Sequence, residues 1–362
     1  MSTDTVQPER YDDLLREKAD RIEAMFAPFA PPALEVFRSS PSHYRMRTEF
    51  HIWHQDDRAH YAMFAPGNKS EPFFLTDFPV ASERINSLMQ PLLDALCEQE
   101  ILRRKLFQIE FLTTQTGEAL VSLIYHKKLD EQWLEAVRPL REQFNIHIIG
   151  RARKQKLVLD QDFVTETLTV NDKQWRYQQV ENSFTQPNAG INEKMLGWAA
   201  NIAKDSTGDL LELYCGNANF TCVLSEQFRR VLATEISKSS VKSAHHNFAL
   251  NGVDNADIVR MSSEEFTQAM NKERPFRRLQ NIDLDSYDFS TVLVDPPRAG
   301  LDKGTEALVQ RFERIIYISC NPETLQANLD TLSQTHRIER FALFDQFPYT
   351  HHAECGVYLV RK

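Results

Sequence analysis

The sequence lacks the segments that would place a chain in or across a membrane. No apolar run approaches the roughly 18 residues that a membrane-spanning helix needs. The N-terminal segment MSTDTVQPERYDD has neither the basic start nor the apolar core of a secretory signal. We therefore predict a cytoplasmic protein with no membrane partner.

Cysteine is scarce and is not arranged for disulfide or metal chemistry. The 362 residues include five cysteines, an odd number, and no C-x-x-C pair occurs. This pattern argues against a disulfide framework, a zinc ribbon or a cysteine-held iron–sulfur cluster. We expect no metal and no iron–sulfur cluster. The possibility that a single cysteine acts in catalysis stays open.

An overall positive charge is also missing. The formal net charge is −9, so composition alone does not suggest a nucleic-acid partner. Any RNA contact must depend on local basic clusters, each of which, taken alone, is more simply explained as a solvated face. The clusters are Arg103-Arg104-Lys105, Lys127-Lys128, and the run Arg151, Arg153, Lys154 and Lys156.

The first half of the chain, residues 1–185, has the pattern of an α+β region without a catalytic signature. Apolar residues at helical spacing predict helices near 8–28, 81–98 and 130–143. Alternating residues over 43–64 predict a hairpin that turns at Gln55-Asp56-Asp57. Further strands are predicted near 105–113, 119–126, 145–150, 155–159, 165–170 and 175–180.

The second half, residues 186–362, has a different rhythm. Short apolar strands at 210–214, 231–234, 257–260, 291–294 and 315–318 alternate with helices. This alternation predicts an α/β domain built on a doubly wound, mostly parallel sheet. Ligands of such sheets bind outside the carboxyl ends of the strands. The polar residues singled out below follow these strands, except those of the final loop.

A nucleotide-type cofactor site is predicted after the first two of these strands. The segment ELYCGNANF (212–220) follows the first strand, and Gly216 allows a ligand to approach the backbone closely. Glu235 ends the next strand, where an acidic side chain commonly accepts ribose hydroxyls. Because the loop has one glycine rather than G-x-G-x-x-G, a dinucleotide site is disfavoured.

Five further segments carry a resemblance to a known family. They are DPPRAG (295–300), SCNPETL (319–325) and FPYTHHAEC (347–355), together with HYRMRTEFHIW (43–53) and QVENSFTQPN (179–188). The sequence resembles the tRNA (uracil-5-)-methyltransferases of the class I, Rossmann-like S-adenosylmethionine-binding fold, nearly end to end. One departure is Ala218, where relatives often carry glycine.

The resemblance implies a function and a set of site residues. The expected reaction is methylation of uridine carbon 5 by S-adenosylmethionine, at position 54 of the tRNA T-loop and at T-loop-like sites in other RNAs such as tmRNA. Cys320 is the implied nucleophile and Glu354 the implied general base, with His351 and His352 as rival bases. The implied cofactor-binding residues are Gln186, Tyr214, Gly216, Asn219, Glu235 and Asp295.

The chemistry of uracil explains these residue types. Carbon 5 is a weak nucleophile until a thiolate adds to carbon 6, and a base must later remove the carbon-5 proton. Since a free thiol has a pKa near 8.5, we expect Cys320 to sit in an electropositive pocket. We hypothesise that Arg298 provides part of that pocket.

The predicted partner is tRNA, and no obligate protein partner is evident. RNA enzymes commonly stack splayed loop bases on aromatic side chains beside basic residues. The 1–185 region is therefore predicted to bind RNA. The candidate residues are Tyr44, Arg45, Arg47, Arg103, Lys105 and Phe107.

Two alternatives remain. An rRNA uracil-5-methyltransferase usually carries an extra N-terminal domain and a four-cysteine iron–sulfur site, but only Cys97 precedes Cys215 here. A non-catalytic RNA-binding or RNA-folding protein on a methyltransferase scaffold would not need an intact Cys320 and Glu354. A cytosine-5 enzyme fits less well, because its nucleophile usually sits in a different motif with a preceding proline. An amino-methylating enzyme fits less well, because it would carry an aromatic residue at the position of Arg298.

Overall fold

A computed structural model describes residues 6–56, 58–64 and 71–362, and its chain divides into two compact units. The first unit comprises Ser40–Thr167 and Gln179–Ala189. The second comprises Glu9–Ser39, Leu168–Gln178 and Gly190–Lys362. The second unit thus includes two segments from the first half of the chain. The functional division at residues 185 and 186 stays a prediction.

The first unit is built on a seven-stranded sheet with the order β4-β3-β2-β5-β6-β7-β8. Its strands are β2 (Arg47–Gln55), β3 (Arg58–Phe64), β4 (Pro72–Leu75), β5 (Leu106–Thr113), β6 (Ala119–Tyr125), β7 (His147–Ala152) and β8 (Gln155–Val158). β2 and β3 form the predicted hairpin, of whose turn Asp57 lies outside the described residues. Because side chains alternate along β2, Phe50 is buried while His51 and Trp53 are exposed.

The helices of the first unit are α2 (Glu83–Cys97), α3 (Glu100–Arg103) and α4 (Glu131–Phe144). α2 and α4 begin at capping side chains. The Ser82 side chain accepts a hydrogen bond from the amide of Ile85, and the Asp130 side chain accepts one from the amide of Trp133. Such caps satisfy backbone donors that the first helical turn leaves without partners.

The second unit is built on an eight-stranded sheet with the order β1-β16-β17-β15-β14-β11-β12-β13. Its strands are β1 (Leu34–Phe37), β11 (Asp209–Leu213), β12 (Val231–Thr234), β13 (Ala256–Val259), β14 (Phe289–Val294), β15 (Arg314–Ser319), β16 (His336–Phe344) and β17 (Glu354–Arg361). All neighbouring pairs are parallel except those that β17 makes with β15 and β16. Two strands that span the boundary between the units, β9 (Phe163–Val170) and β10 (Lys173–Val180), form a separate two-stranded sheet.

Helices connect these strands and account for their burial. They are α1 (Tyr11–Phe26), α5 (Ala189–Ala203), α6 (Asn219–Leu224), α7 (Lys238–Asn251), α8 (Ser263–Met270), α9 (Lys303–Val309) and α10 (Pro322–Leu332). Every residue of β11 and β12 is buried. Because successive side chains point to opposite faces, burial at every position means that both faces of these strands are covered.

The order of the strands creates a switch point at the carboxyl ends of β11 and β14. From β11 the chain proceeds to β12 and β13 on one side, and then to β14 and β15 on the other. The loops that leave β11 and β14 therefore diverge, which leaves a crevice where such sheets bind ligands. This topology confirms the predicted doubly wound α/β fold.

Four strands were not predicted from the sequence: β1, β4, β16 and β17. β16 and β17 supply the antiparallel end of the large sheet, and β1 pairs with β16 at its edge. In the described part of the chain, no helix is long and apolar enough to cross a membrane.

Candidate active site

The two predicted catalytic side chains lie beside the last residue pair of two neighbouring antiparallel strands. β15 and β17 pair so that Ser319 lies opposite Cys355. Cys320 directly follows Ser319, and Glu354 directly precedes Cys355. The charge of Glu354 acts on the Cys320 thiol. The thiol of Cys320, which is half-buried, and the carboxyl of Glu354, which is buried, therefore share one edge of the sheet.

The residues around Cys320 hold it at the point where a helix begins. Asn321 caps α10, and Pro322 occupies the first turn, where its missing N–H leaves no bond unmade. The amide of Asn321 donates to Ser319 Oγ at 3.2 Å. Its side-chain Nδ2 donates to the carbonyl oxygen of Arg298 at 2.9 Å. The loop after β15 is thus tied to the loop after β14.

The guanidinium of Arg298 contacts the final loop rather than standing alone. Its Nη2 donates to Nδ1 of His352 at 2.7 Å. Because a guanidinium can only donate, Nδ1 must accept, and His352 is the neutral tautomer with its proton on Nε2. Burial, followed by the nearby charges of His351 and Arg298, lowers the pKa of His352. Since its free lone pair is engaged by Arg298, His352 is a poor candidate for the general base.

Three carboxyl groups gather at this edge of the sheet. Burial raises the pKa of Asp295, which directly follows β14, to about 7. Burial also raises the pKa of Glu212, within β11, to about 8, although Thr221 donates to its Oε2 at 2.6 Å. The pKa of Glu354 lies well above its usual value because of burial and the negative charge of Asp295. These three carboxyl groups therefore stay partly protonated near neutral pH, and a bound cation would stabilise their ionised forms.

The expectation of an electropositive pocket for Cys320 is wrong. Burial and the charges of Glu354 and Asp295 raise the pKa of the thiol to about 11, and Arg298 opposes them only in part. The sequence reasoning missed this because it placed Arg298 near the thiol without the two carboxyl groups. Without a bound cation, the thiol is the stable form of Cys320.

The loop after β11 has the geometry of a ligand cradle. Tyr214, Gly216 and Ala218 all have positive φ, at 62°, 58° and 68°. Ala218 thus adopts the left-handed conformation at the position where relatives often carry glycine, at a cost of about 1–2 kcal/mol. Nothing lies within 4 Å of where a Cβ on Gly216 would stand, so space is open above its backbone.

Glu235 is fixed at the end of β12 by that same loop. Its Oε2 accepts from the amide of Gly216 at 3.0 Å, and its Oε1 accepts from the amide of Ser237 at 2.6 Å. Each carboxylate oxygen keeps a second lone pair for a ligand hydroxyl. Exposed Ile236 stands beside it, with 64% of its surface accessible. The sequence analysis did not single out Ile236, although its apolar side chain suits a ring stacked against the cofactor loop.

Asn219 begins α6 and is paired with a second asparagine. Its Nδ2 donates to Asn192 Oδ1 at 2.8 Å, and Asn192 Nδ2 donates back to its Oδ1 at 3.0 Å. The phenol of Tyr177 donates to its carbonyl oxygen at 2.9 Å. The second unit therefore brings together Tyr214, Gly216, Asn219, Glu235 and Asp295. Gln186 belongs to the first unit, and its role in cofactor binding stays a prediction.

The structure separates the predicted RNA-binding residues into accessible and inaccessible ones. Tyr44 is only 5% exposed, which contradicts the expectation that its ring stacks on a base. Arg45 Nε donates to the carbonyl oxygen of Arg47 at 2.8 Å, and Arg47 Nη1 donates to that of Ser183 at 2.5 Å. Half-buried Phe107 stacks on His126 with ring centroids 4.1 Å apart.

The basic clusters differ in the same way. Arg103 is half-buried, whereas Arg104 and Lys105 are exposed at the end of α3. In the third cluster, Arg151 and Lys156 both form ion pairs with buried Glu181. That cluster is therefore less available to phosphates than its sequence suggests.

Two residues of functional interest were not predicted from the sequence, one exposed aromatic residue and one buried acid. Phe184 is 72% exposed, an unusual state for phenylalanine, within the QVENSFTQPN segment. Glu212 is 1% exposed, and the signal available for it was an acid within the leucine run Leu210-Leu211-Glu212-Leu213. Among residues 6–56, 58–64 and 71–362, no cluster of three or more His, Cys, Asp or Glu side chains could hold a metal ion.

Comparisons with known proteins agree with this geometry. A family model described as tRNA (Uracil-5-)-methyltransferase matches residues 10–362. The tRNA/tmRNA (uracil-C(5))-methyltransferases of Vibrio parahaemolyticus and Ectopseudomonas mendocina are each 56% identical to this chain, over 100% of both sequences. The solved tRNA (uracil-54, C5)-methyltransferase of Pyrococcus abyssi, in complex with S-adenosyl-L-homocysteine, superimposes with a TM-score of 0.73 at 20% identity, covering 97% of this chain and 83% of that one. At that identity the superposition supports the fold alone.

Proposed function

Because the chain belongs to the tRNA (uracil-5-)-methyltransferase family, we propose that it methylates carbon 5 of a T-loop uridine, at position 54 of tRNA and at the equivalent site of tmRNA. The observation that supports the mechanism is the β15–β17 pairing, whose last pair is Ser319 and Cys355, the residues that adjoin Cys320 and Glu354 in the chain. Family membership favours tRNA over the rRNA alternative. Action in the cytoplasm follows from the predicted substrate and stays a prediction.

S-adenosylmethionine fits the residues at the carboxyl edge of β11, β12 and β14. The open backbone at Gly216 allows close approach, and Glu235 offers two oriented oxygens to ribose hydroxyls. Asp295 and Glu212 place carboxyl groups where a cationic ligand would be stabilised. Tyr214 and Asn219 complete the proposed site of the second unit, and cofactor binding by Gln186 stays a prediction. When bound, the cofactor supplies a methyl group on a positively charged sulfur.

Cys320 performs the first step on the nucleobase. Its thiol must lose a proton, and the carboxylate of Asp295 is a nearby acceptor, which leaves Glu354 unprotonated for the last step. The thiolate then forms a bond to carbon 6 of uracil, and the electron pair of the 5,6 double bond makes carbon 5 nucleophilic. Arg298, fixed by His352 and Asn321, stands beside the thiol and offsets part of the surrounding negative charge.

Glu354 performs the last step. Once carbon 5 carries the methyl group, the Glu354 carboxylate takes the remaining proton from carbon 5. The electron pair of that C–H bond re-forms the double bond, and the bond between carbon 6 and Cys320 breaks to release the thiolate. A carboxyl whose pKa is raised toward the working pH is a stronger proton acceptor than an ordinary glutamate.

The first unit supports RNA binding through accessible aromatic and basic side chains. Phe184 exposes most of its ring, and Phe107 stacks on exposed His126. Arg104 and Lys105 are exposed beside Phe107. Aromatic rings suit splayed bases, and neighbouring cations suit phosphates. We include these five residues in the proposed RNA-binding surface, with Arg103 in support.

The test uses unmodified tRNA and methyl-labelled S-adenosylmethionine, followed by nucleoside analysis. Wild-type protein should place label in 5-methyluridine, and tRNA with cytidine at position 54 should receive none. Cys320→Ala should abolish incorporation, whereas Cys97→Ala, which removes a half-buried thiol of the first unit, should not.

Glu354→Gln separates the two halves of the reaction. Glutamine preserves the size of the side chain but cannot accept the carbon-5 proton. Labelled RNA should therefore remain attached to the protein through Cys320, at protein-plus-tRNA size on a denaturing gel. If this variant releases 5-methyluridine at near the wild-type rate while His351→Ala traps the adduct, the base is a histidine.

A further inference from the structure

A nine-residue loop, residues 345–353, delivers the proposed base to the site. It joins β16 to β17, which pair with Phe344 opposite Glu354. Glu354 is thus the first residue after the loop as well as the first residue of its strand. Any displacement of the loop shifts the Glu354 carboxyl relative to Cys320 on the neighbouring strand.

Helix α1 holds the start of this loop through a buried ion pair. Lys18 Nζ donates to Asp345 Oδ1 at 2.6 Å and to the carbonyl oxygen of Phe347 at 2.9 Å. The two charged side chains are only 7% and 2% exposed. Tyr11 of the same helix donates its hydroxyl proton to Asp345 Oδ2 at 2.9 Å. Both oxygens of Asp345 are therefore bound by α1.

The same helix also holds the far end of the loop. Arg21 Nη2 donates to the carbonyl oxygen of His351 at 2.7 Å. Between the two attachments, Tyr349 has a φ of 62°, a strained conformation for a bulky residue, and its ring meets Tyr11 edge-on at 6.0 Å. Strain of this kind persists where the surroundings fix the backbone.

A gain in folding stability does not by itself explain the buried ion pair between Lys18 and Asp345. The desolvation of two buried charges offsets much of their attraction, so a buried ion pair adds little net stability compared with apolar residues of similar size. The contacts of Lys18 are instead directed at one loop, at an acid and a carbonyl that stand nine and seven residues before Glu354. Proton transfer is sensitive to placement, and a shift of about 1 Å can cost about 100-fold in rate.

We propose that Lys18, assisted by Arg21, is a positioning residue for proton removal by Glu354. α1 acts through the 345–353 loop and touches neither the uridine nor the cofactor. The inference rests on the proposed role of Glu354 as the base. Loss of the Lys18 contacts should therefore slow the step after methyl transfer more than it slows the addition of Cys320.

The experiment compares two steps in Lys18→Met. With ordinary tRNA and methyl-labelled cofactor, release of 5-methyluridine in a single turnover should fall by about 10- to 100-fold, and a labelled covalent adduct should accumulate. With tRNA that contains 5-fluorouridine, which cannot lose a proton from carbon 5, adduct formation should stay within about threefold of wild type. A purely structural role would reduce both steps together.

Two further variants make the result decisive. Arg16→Met removes an exposed cation of the same helix, which pairs with exposed Asp13, and should leave both steps unchanged. Arg21→Met removes the exposed attachment to His351 and should slow release alone, by about three- to tenfold. Wild-type release in Arg21→Met, or equal loss of both steps in Lys18→Met, overturns the proposal. If Glu354→Gln itself fails to trap the adduct, the role of Glu354 is what has failed.

Discussion

Raising the pH should increase the reactivity of Cys320 well beyond the point at which an ordinary cysteine stops responding. Burial and the carboxyl groups of Glu354 and Asp295 raise the pKa of its thiol to about 11. Only the thiolate attacks, so the rate of modification should rise with slope one in log rate against pH up to about pH 10. An ordinary thiol levels off above its pKa of about 8.5.

The magnitude at pH 8 follows from two opposing effects. With a pKa of about 11, roughly one Cys320 in a thousand is ionised, against about one ordinary thiol in four, a ratio of roughly 200-fold. A thiolate of higher pKa is also the stronger nucleophile, which with a Brønsted coefficient of about 0.4–0.5 returns roughly tenfold. Cys320 in the free enzyme should therefore react roughly 20-fold more slowly than an ordinary cysteine.

The assay is pulsed modification with a small aromatic disulfide between pH 7 and 10.5, with Cys320 followed by peptide mass spectrometry. The same cysteine in the denatured chain serves as the reference, so that differences between peptides cancel. Glu354→Gln removes the largest of the charges that raise the pKa and should move the plateau to lower pH. A wild-type plateau below pH 9, or no movement in Glu354→Gln, would show that the carboxyl groups do not control the thiol.

Three further outcomes are expected. Burial raises the folded-state pKa of Glu212 to about 8, so its contribution to the free energy of unfolding is complete below about pH 4 and is lost as pH rises through 8. Glu212→Gln should therefore flatten this part of the curve of thermal stability against pH. An unchanged curve would contradict the prediction. Glu235→Ala should weaken S-adenosylmethionine binding by about 10- to 100-fold in calorimetry while tRNA affinity holds, with a smaller loss for Glu235→Gln. tRNA affinity should fall steeply with salt, and replacing Arg104 and Lys105 with alanine should reduce the log–log slope by roughly one to two; an equal slope makes them a solvated face.

The parallel core of the second unit could be predicted because its signals are local. β11, β12, β14 and β15 are short apolar runs, and each ends at a polar residue that the chain presents at the same edge. The doubly wound arrangement and the placement of Cys320 at the carboxyl end of a strand follow from general rules for parallel sheets. No long-range information was needed.

The remainder depends on contacts between distant parts of the sequence. β1 pairs with β16, and Glu354 comes near Cys320 because the last strand reverses direction beside β15. Tyr44 has the composition of a stacking residue, yet tertiary packing buries it. The pKa of Cys320 likewise depends on carboxyl groups from two other strands. Hydrophobic periodicity and composition do not indicate which distant residues become neighbours in the fold.

α1 and β1 come from the start of the chain but belong to the second unit, which has a consequence for synthesis on the ribosome. Lys18 and its partner Asp345 are 327 residues apart in the chain. At about 5–20 residues per second, α1 emerges roughly 15–60 seconds before the loop that it binds. During that interval Ile22 and Phe26 of α1 lack the part of their core that β16 and β17 supply, which includes Phe341 and Val357. The catalytic edge can therefore assemble only after the last strands have been made.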